Sequence, residues 1–311
     1  MIEIKGLTRD YGAFRALDQL DMTIQDGELH GFVGPNGAGK TTTMRILATL
    51  LPMSGGTATV DGVDLRKRPK SIRRIVGYMP DFFGVYDRLK TWEYLDFYAR
   101  CHSLRERDRA RMIDQLLDLV NLQDRRDTYV DVLSRGMKQR LCLAHALIHD
   151  PKFLILDEPA SGMDPRARAE MKEILLRLRA MGKSVLISSH ILPELSEMCD
   201  ALTIIDKGRL VFSGSVDALS RKMQGDAPLE IRLVKGAEER ALDDAVSLLS
   251  EFPGVTAIEV LEGNLLQVEL GQDDQKVSHL IRRLVESEIP LADVHRQKMN
   301  LEHVFLEVTQ G

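Results

Sequence analysis

Cysteine is scarce in this sequence, and the cysteines that occur are not arranged as a framework. Cys101, Cys142 and Cys199 are far apart, odd in number and without a CxxC pair. This spacing argues against a disulfide scaffold and against a zinc site. It is typical of a protein of the reducing cytosol.

Positive charge is not in excess either. The chain has 42 lysine and arginine residues against 47 aspartate and glutamate residues, which gives a formal net charge of -5 at pH 7. Domains that bind DNA or RNA usually carry a basic surface that neutralises phosphates. We therefore expect no nucleic-acid partner.

Long hydrophobic runs are missing as well. No stretch reaches the roughly 18 consecutive apolar residues that indicate a helix across a bilayer. The segment from Met1 to Tyr11 mixes charged and strand-forming residues and lacks the apolar centre of a signal peptide. If the protein acts at a membrane, we expect it to do so through a partner protein.

The sequence is nevertheless rich enough in hydrophobic residues, at 44% of 311, to form a core, and its length suggests two domains. From residue 1 to about residue 218, strand-like segments alternate with helical patterns, which predicts an α/β domain with a parallel sheet. Phe153–Leu156 and Ser184–Ser188 are short, largely apolar runs, typical of strands buried on both faces. Residues from about 82 to 150 have a more helical pattern, so we expect a helical subdomain there.

A second domain is predicted after a polar stretch with Gly and Pro at residues 219–228, which is typical of a linker. Residues 229–311 predict a small α+β domain with the order β-α-β-β-α-β, ferredoxin-like in arrangement. Gly263-Asn264 predicts a hairpin turn. One apolar helical stripe comprises Val277, Leu280, Ile281, Leu284 and Val285. Apolar residues between 301 and 308 predict a last short helix, and no catalytic constellation is visible in this domain.

A glycine-rich motif of the form GxxxxGK[ST] lies between a strand-like and a helical segment. Backbone amides of such a loop can surround a triphosphate, because few side chains intrude and because the helix N-terminus attracts negative charge. Lys40 adds a positive charge at the outer phosphates, and the Thr41 hydroxyl is suited to ligate Mg²⁺. We predict nucleotide contacts from Gly34, Pro35, Asn36, Gly37, Ala38, Gly39, Lys40, Thr41 and Thr42.

Three polar residues follow buried strands. Asp157 and Glu158 come directly after Phe153–Leu156, and His190 comes after the next buried strand. Ligands of α/β folds bind at the carboxyl ends of the strands. We predict that Asp157 holds Mg²⁺ through water, that Glu158 orients or deprotonates the attacking water, and that His190 senses the γ-phosphate.

Ser134 and Gly136 lie at the predicted start of a helix that ends before Pro151. Serine is a favoured N-cap residue. A helix start with Ser and Gly attracts anions by the same dipole effect as the glycine-rich loop. The predicted apolar face of this amphipathic helix consists of Met137, Leu141, Ala144 and Ile148. An ordinary capped helix has the same pattern, so these residues alone leave open whether Ser134 and Gly136 bind phosphate.

The order of these motifs resembles the nucleotide-binding subunits of ABC transporters, over residues 2 to about 218. The matching motifs are Walker A at Gly34–Thr41, the signature at Leu133–Gln139, Walker B at Phe153–Glu158 and the D-loop at Ser161–Asp164. The resemblance implies that Tyr11 stacks on adenine and that His190 is the switch histidine. Asn300–Leu306 is similar to the tails of the exporter branch that moves drugs, sodium, antibiotics and surface polysaccharides.

Two motif positions depart from the family pattern. Asp81 stands where the family has the Q-loop glutamine, so a carboxylate oxygen is retained that can contact Mg²⁺ or water. The signature reads LSRGM from Leu133 to Met137 instead of the usual LSGGQ. Arg135 either adds a cation near the γ-phosphate or lies on the surface. We expect an active enzyme, with Asp81 among its catalytic and metal-binding residues.

The resemblance further implies an ATP-hydrolysing motor that uses ATP and Mg²⁺. Its subunits form a head-to-tail dimer in which each ATP lies between one subunit's P-loop and the other's Ser134–Gly136. The dimer is either a homodimer or a pair with a sister ATPase subunit. A separate integral membrane permease completes the exporter, and this chain is peripheral, at the cytoplasmic face of the cell membrane.

An aromatic cluster follows Asp81 in a chain of which only 5% is aromatic. It contains Phe82, Phe83, Tyr86 and Trp92. In the family, a groove at this place receives a helix of the membrane subunit. Ordinary packing of the helical subdomain is the other interpretation, and the sequence does not separate the two.

The alternative function is that of a soluble ABC ATPase acting on a macromolecular complex. The chromosome type needs a long heptad coiled coil, and the ribosome type usually carries two cassettes on one chain; the sequence has neither. A third hypothesis is a regulator whose tail binds a metabolite. Residues 229–309 contain no polar pocket signature, so dimerisation or subunit contact is the favoured role of the tail.

Overall fold

The computed structural model describes residues 1–81, 84, 86, 88–219, 228–234, 239–261, 264–271 and 273–296. The chain divides into two compact units, with the boundary between Val216 and Asp217. No helix in these ranges is both long enough and apolar enough to cross a bilayer. The predicted helix at 301–308, the exporter-like tail at Asn300–Leu306 and most of the predicted linker lie outside the described residues.

The first unit alternates strands with helices, which confirms the predicted α/β class. Its strands are β1 (Ile2–Tyr11), β2 (Phe14–Ile24), β3 (Leu29–Val33), β4 (Gly55–Val60), β5 (Val63–Asp64), β6 (Val76–Met79), β7 (Phe153–Leu156), β8 (Ser184–Ser189), β9 (Ala201–Asp206) and β10 (Arg209–Ser215). Its helices are α1 (Lys40–Leu47), α2 (Pro69–Ile75), α3 (Thr91–Cys101), α4 (Glu106–Leu119), α5 (Arg135–Leu147), α6 (Pro165–Ala180) and α7 (Leu192–Ser196).

A six-stranded sheet in the order β10-β9-β3-β8-β7-β6 forms the centre of this unit. Strand β3 pairs in parallel with β8 and β9, and β7 pairs in parallel with β6 and β8. Every residue of β3, β7 and β8 is buried, as the continuous apolar runs predict for a parallel sheet. Because these strands run the same way, the loops after β3, β7 and β8 emerge at one edge.

A smaller antiparallel sheet has the order β2-β1-β4-β5. Ile2, Ile4 and Leu7 of β1 are buried, and they belong to the same core cluster as Met44 and Ile46 of α1. The apolar face of the sheet therefore supports the helix that follows the glycine-rich loop. The turn between β1 and β2 places Tyr11 opposite Phe14.

Helices α3, α4 and α5 lie between β6 and β7 and form the predicted helical subdomain. The Ser134 side chain accepts a hydrogen bond of 3.3 Å from the Met137 amide, which confirms the predicted N-cap of α5. Leu141, Ala144 and Ile148 of the predicted apolar face are buried, and burial extends beyond that face to polar Gln139 and Arg140. The helix contacts α3, α4, α6 and β6, so little of its circumference faces solvent.

The second unit has the predicted order β-α-β-β-α-β. It comprises β11 (Leu229–Leu233), α8 (Glu239–Ser250), β12 (Val255–Leu261), β13 (Leu265–Leu270), α9 (Asp274–Glu286) and β14 (Leu291–Arg296). The strands form an antiparallel sheet in the order β12-β13-β11-β14, which is the ferredoxin-like arrangement. Asn264 adopts φ 64° in the predicted turn before β13.

Alternate residues of β11 and one stripe of α9 build the core of this unit. Leu280 and Leu284 of the predicted stripe are fully buried, but Val285 is 59% exposed. Each residue of a helix is rotated by about 100° from the previous one, so Val285 falls beyond the edge of the face that Leu284 occupies.

Candidate active site

The loops at the carboxyl edge of the central sheet border a cavity of about 460 Å³, a size typical of small-molecule sites. The predicted residues that line it are Tyr11, Pro35, Asn36, Gly37, Gly39, Lys40, Thr41, Thr42, Asp81, Glu158 and His190. The cavity thus brings together side chains from β1, the glycine-rich loop, and the loops after β6, β7 and β8.

Other predicted residues do not line this cavity. Gly34 and Ala38 are buried in the loop beneath it, and Asp157 is buried behind Glu158. Ser134 and Gly136 stand at the start of α5, away from the lining. The structure therefore does not bring Ser134 and Gly136 into the same cavity as Lys40 within a single chain.

Gly39 sets the shape of the loop at the point where α1 begins. Its φ is +108°, which side-chain-bearing residues rarely adopt. A Cβ atom on Gly39 would lie 2.6 Å from Leu17 Cδ2 and 2.9 Å from the Ala16 carbonyl oxygen. Helix α1 has no side-chain cap, so its N-terminal amides remain available to an anion in the cavity.

Lys40 is 6% exposed, and its ammonium group is held by the loop itself. Its Nζ donates hydrogen bonds to the carbonyl oxygens of Gly34, at 2.6 Å, and Pro35, at 3.2 Å. Burial lowers the pKa of Lys40, and the nearby carboxylates of Glu158 and Asp157 partly oppose this. The Glu158 Oε1 atom lies 3.6 Å from Nζ. A buried cation in this setting favours a further anionic ligand.

A serine that was not predicted links the two acids. The Ser188 hydroxyl donates to Asp157 Oδ1 at 2.8 Å and accepts from the Glu158 amide at 2.9 Å. Asp157 is fully buried, and its Oδ2 atom has no hydrogen-bond partner among the described residues. A buried carboxylate oxygen is costly unless a cation or water meets it, so Asp157 fits a metal site.

Glu158 is held in the cavity from two sides. His190 Nδ1 lies 3.0 Å from Glu158 Oε2, while Lys40 faces the other carboxylate oxygen. The backbone of Glu158 has φ +49°, in the left-handed region that is unfavourable for this residue type. Such strain persists only where neighbours fix it, and here the Ser188 hydroxyl holds the amide. The Glu158 carboxylate is therefore held in one place within the cavity.

Asp81 lines the same cavity, so the structure brings it to the other predicted residues. Burial raises the pKa of Asp81, and the Asp157 carboxylate raises it further. The positive charges of Arg135 and Lys40 oppose this rise. Asp81 thus adds an acidic group whose charge depends on the cations around it.

An aromatic wall lies at the mouth of the cavity. Tyr11 and Phe14 both line it, and they are 44% and 64% exposed. The guanidinium of Arg9 lies 4.6 Å from the centroid of the Tyr11 ring, a cation–π contact. Phe14 was not predicted, although its place opposite Tyr11 across a short turn puts both side chains on one face. Ala16 and Ser161 also line the cavity without having been predicted.

Comparison with known proteins gives similarity along the whole chain. The family described as ABC transporter matches residues 17–161. The daunorubicin resistance ATP-binding protein DrrA3 of Streptomyces coeruleorubidus is 34% identical, over 99% of this chain and 95% of the relative. The Nod factor export ATP-binding protein I of Sinorhizobium fredii (strain NBRC 101917 / NGR234) is 36% identical, over 99% of this chain and 85% of the relative.

Solved structures share the cassette fold. An ATP-binding subunit of an ABC transporter is 30% identical with a TM-score of 0.65, over 72% of this chain and 93% of that one. The dimeric ATP-binding cassette MJ0796, bound to ADP and Pi, is 21% identical with a TM-score of 0.64, over 70% of this chain and 99% of that one. These matches confirm the predicted fold class.

Proposed function

This chain is an ATPase subunit of the ABC transporter family, and we propose that it drives export through a separate integral membrane permease. The ATPase part of the proposal rests on the cavity that Lys40, Glu158 and His190 line together, with Glu158 in contact with the other two side chains. The names of some relatives support export, because two that match 99% of this chain are named for daunorubicin resistance and Nod factor export.

ATP binding follows from the two ends of the cavity. The triphosphate lies against the glycine-rich loop, where the α1 N-terminus and Lys40 supply positive potential. The base stacks on the aromatic wall at Tyr11.

Mg²⁺ is proposed to be held by Thr41 and Asp157, with Asp81 beside them. The unpaired Oδ2 atom of Asp157 supports this assignment. No group of three or more His, Cys, Asp or Glu residues in the described ranges has a metal-binding arrangement. That fits Mg²⁺, which usually binds one or two protein oxygens together with the substrate phosphates. Bound with ATP, the ion neutralises charge on the outer phosphates.

Hydrolysis is assigned to Glu158. Its carboxylate orients a water molecule and accepts a proton as the water oxygen bonds to the γ-phosphorus and ADP departs. His190 fixes one oxygen of that carboxylate through the 3.0 Å contact and lies near the terminal phosphate. Lys40 stabilises the negative charge that spreads over the γ-phosphate oxygens.

A second subunit completes the site in this proposal. Ser134 and Gly136 mark a helix start suited to anions, yet they do not line the cavity of their own chain. A head-to-tail dimer brings this helix start to the other subunit's ATP, so ATP holds the dimer closed and hydrolysis releases it. The partner is a second copy or a sister subunit.

The surface for the membrane permease is proposed on the helical subdomain. Tyr86 and Phe97 are 54% and 41% exposed and contact each other edge to face at 5.4 Å. Trp92, in contrast, packs under Arg126, so the aromatic cluster serves partly as structure. Phe82 and Phe83 lie outside the described residues. Through this contact the chain is peripheral, at the cytoplasmic face of the cell membrane.

The C-terminal domain, residues 229–311 after a linker at 219–228, is proposed to make subunit contacts beside an ATPase domain of residues 1–218. Its closed apolar core supports an independent folding unit. Removing residues 226–311 should leave ATP binding intact and weaken assembly of the complex. Unchanged assembly would rule out this role.

The test of the whole proposal is capture of the partner. Tagged Glu158→Gln is recovered from detergent-solubilised membranes with ATP and Mg²⁺, and Lys40→Ala, which is expected to bind ATP more weakly, serves as the matched control. A stoichiometric multi-span protein recovered with Glu158→Gln supports the exporter, and its yield with Lys40→Ala shows whether the contact depends on bound ATP. Recovery of ribosomal or DNA-bound partners would instead support the soluble ATPase and overturn the proposal.

A further inference from the structure

The guanidinium of Arg135 lies on the backbone of Gly162. A Cβ atom on Gly162 would come within 2.5 Å of Arg135 Cζ and 2.6 Å of both terminal nitrogens. Gly162 has φ +66°, so glycine is favoured there by conformation as well as by space. Arg135 is the first residue of α5, and Gly162 belongs to the loop before α6. The arginine therefore connects two helix starts.

Two further contacts hold the same elements together. The Gln139 side chain is buried, and its Nε2 donates to the Ser161 carbonyl oxygen at 3.0 Å. A Cβ atom on Gly136 would lie 2.9 Å from Ala167 Cβ, so the first turns of α5 and α6 approach as closely as glycine permits. The start of α5 and the Ser161–Asp164 loop are thus packed directly against each other.

Ser161 gives these packed elements a connection to the cavity. It is the residue of the loop that lines the site beside Glu158 and Lys40. In the proposed dimer, the start of α5 faces the ATP of the other subunit. Arg135 then lies between two ATP sites. One is the site of the other subunit, which the start of α5 faces, and the other is the site of its own chain, which Ser161 lines.

We infer that Arg135 is a positioning residue that transmits the state of one ATP site, through Gly162 and Ser161, to the other. The inference deepens the proposed function and rests on its head-to-tail dimer. The guanidinium is suited to the task, because its planar shape lets it lie flat against the Gly162 backbone.

Charge supports this placement. The guanidinium of Arg135 is near enough to the Asp81 carboxylate to interact with it electrostatically. Arg135 and Asp81 are two of the departures from the family pattern, with Met137 as the third, and these two residues carry opposite charges.

The test is a double-mutant cycle of Arg135→Ala and Gly162→Ala in the full chain, read by steady-state ATP hydrolysis. We expect Arg135→Ala to lower kcat by roughly 2- to 30-fold, with a smaller change in KM and a Hill coefficient for ATP that falls toward one. Gly162→Ala displaces the guanidinium, so its effect should be smaller in the Arg135→Ala background. Such non-additivity is the signature of contact.

Two control variants separate positioning from charge and from folding. Arg135→Lys keeps the charge but loses the flat guanidinium. Its Hill coefficient should therefore lie closer to that of Arg135→Ala than to that of the wild type. Arg166→Ala removes an arginine whose side chain is 91% exposed, and it should behave as wild type. Thermal unfolding of each variant identifies losses caused by instability.

Additive effects, or wild-type kcat and Hill coefficient in Arg135→Ala, would overturn the inference while leaving the ATPase dimer intact. A wild-type chain that hydrolyses ATP without cooperativity would overturn the inference together with the proposed dimer.

Discussion

The Ser188 hydroxyl donates a hydrogen bond of 2.8 Å to Asp157 Oδ1, across the paired strands β7 and β8. The same hydroxyl accepts a hydrogen bond from the Glu158 amide. One small side chain thereby fixes both the acid proposed to hold Mg²⁺ and the acid proposed to orient water.

Ser188→Ala should therefore weaken catalysis and stability together. Removing the hydroxyl leaves a buried carboxylate oxygen without its donor, at a cost of about 1–3 kcal/mol in the free energy of unfolding. Urea denaturation measures that cost, and kcat should fall because Glu158 loses the group that holds its strained backbone. Ser189→Ala, on the same strand, is the control and should retain kcat. Equal kcat in both variants would contradict the role of Ser188.

Lys40→Ala should weaken ATP binding by roughly 10- to 100-fold, which corresponds to the loss of hydrogen bonds from a charged donor. A fluorescent ATP analogue titrated against the purified chain measures the Kd. AMP is the matched ligand, since it lacks the outer phosphates that Lys40 is proposed to bind. The assignment of Lys40 fails if the AMP and ATP affinities fall by the same factor.

Two histidines, His145 in α5 and His149 just after it, predict that stability depends on pH. Burial lowers the pKa of His145 and of His149 to about 4. His145 stacks on Tyr98 with centroids 3.6 Å apart, and His149 stacks on His102 at 4.2 Å. Both rings are therefore held neutral inside the helical subdomain.

The unfolded chain binds protons at these histidines near the ordinary pKa of about 6.5, whereas the folded chain does not until about 4. Their contribution to stability is full above about pH 6.5 and is lost as the pH falls through this window. We expect the free energy of unfolding, measured in urea, to fall between about pH 7 and about pH 5. His145→Phe should reduce this slope, and an unchanged slope would show that His145 does not cause it.

The site residues that could be predicted belong to motifs that are continuous in sequence and come after a strand. Lys40, Glu158 and His190 each follow such a strand, and the parallel sheet brings their loops to one edge. Ser188 could not be identified in this way, because only the pairing of β8 with β7 places its hydroxyl beside Asp157. Phe14 escaped prediction for a similar reason, since its place in the site depends on the turn after Tyr11.

The pattern of α5 shows a second limit. Periodicity reports which positions are apolar, but Gln139 and Arg140 are buried because each finds polar partners in neighbouring elements. Gln139 donates to Ser161, and Arg140 donates to the carbonyl oxygens of Val120 and Asn121. Such partners are distant in sequence, so no local pattern contains them.

The most direct test of the central claim compares ATP turnover and ATP binding in Glu158→Gln with those in the wild-type chain. Because Gln keeps the size of the side chain and cannot accept the proton, turnover should fall by roughly 10²- to 10⁴-fold while ATP is still bound and a dimer still forms. Ordinary turnover in Glu158→Gln would contradict the account.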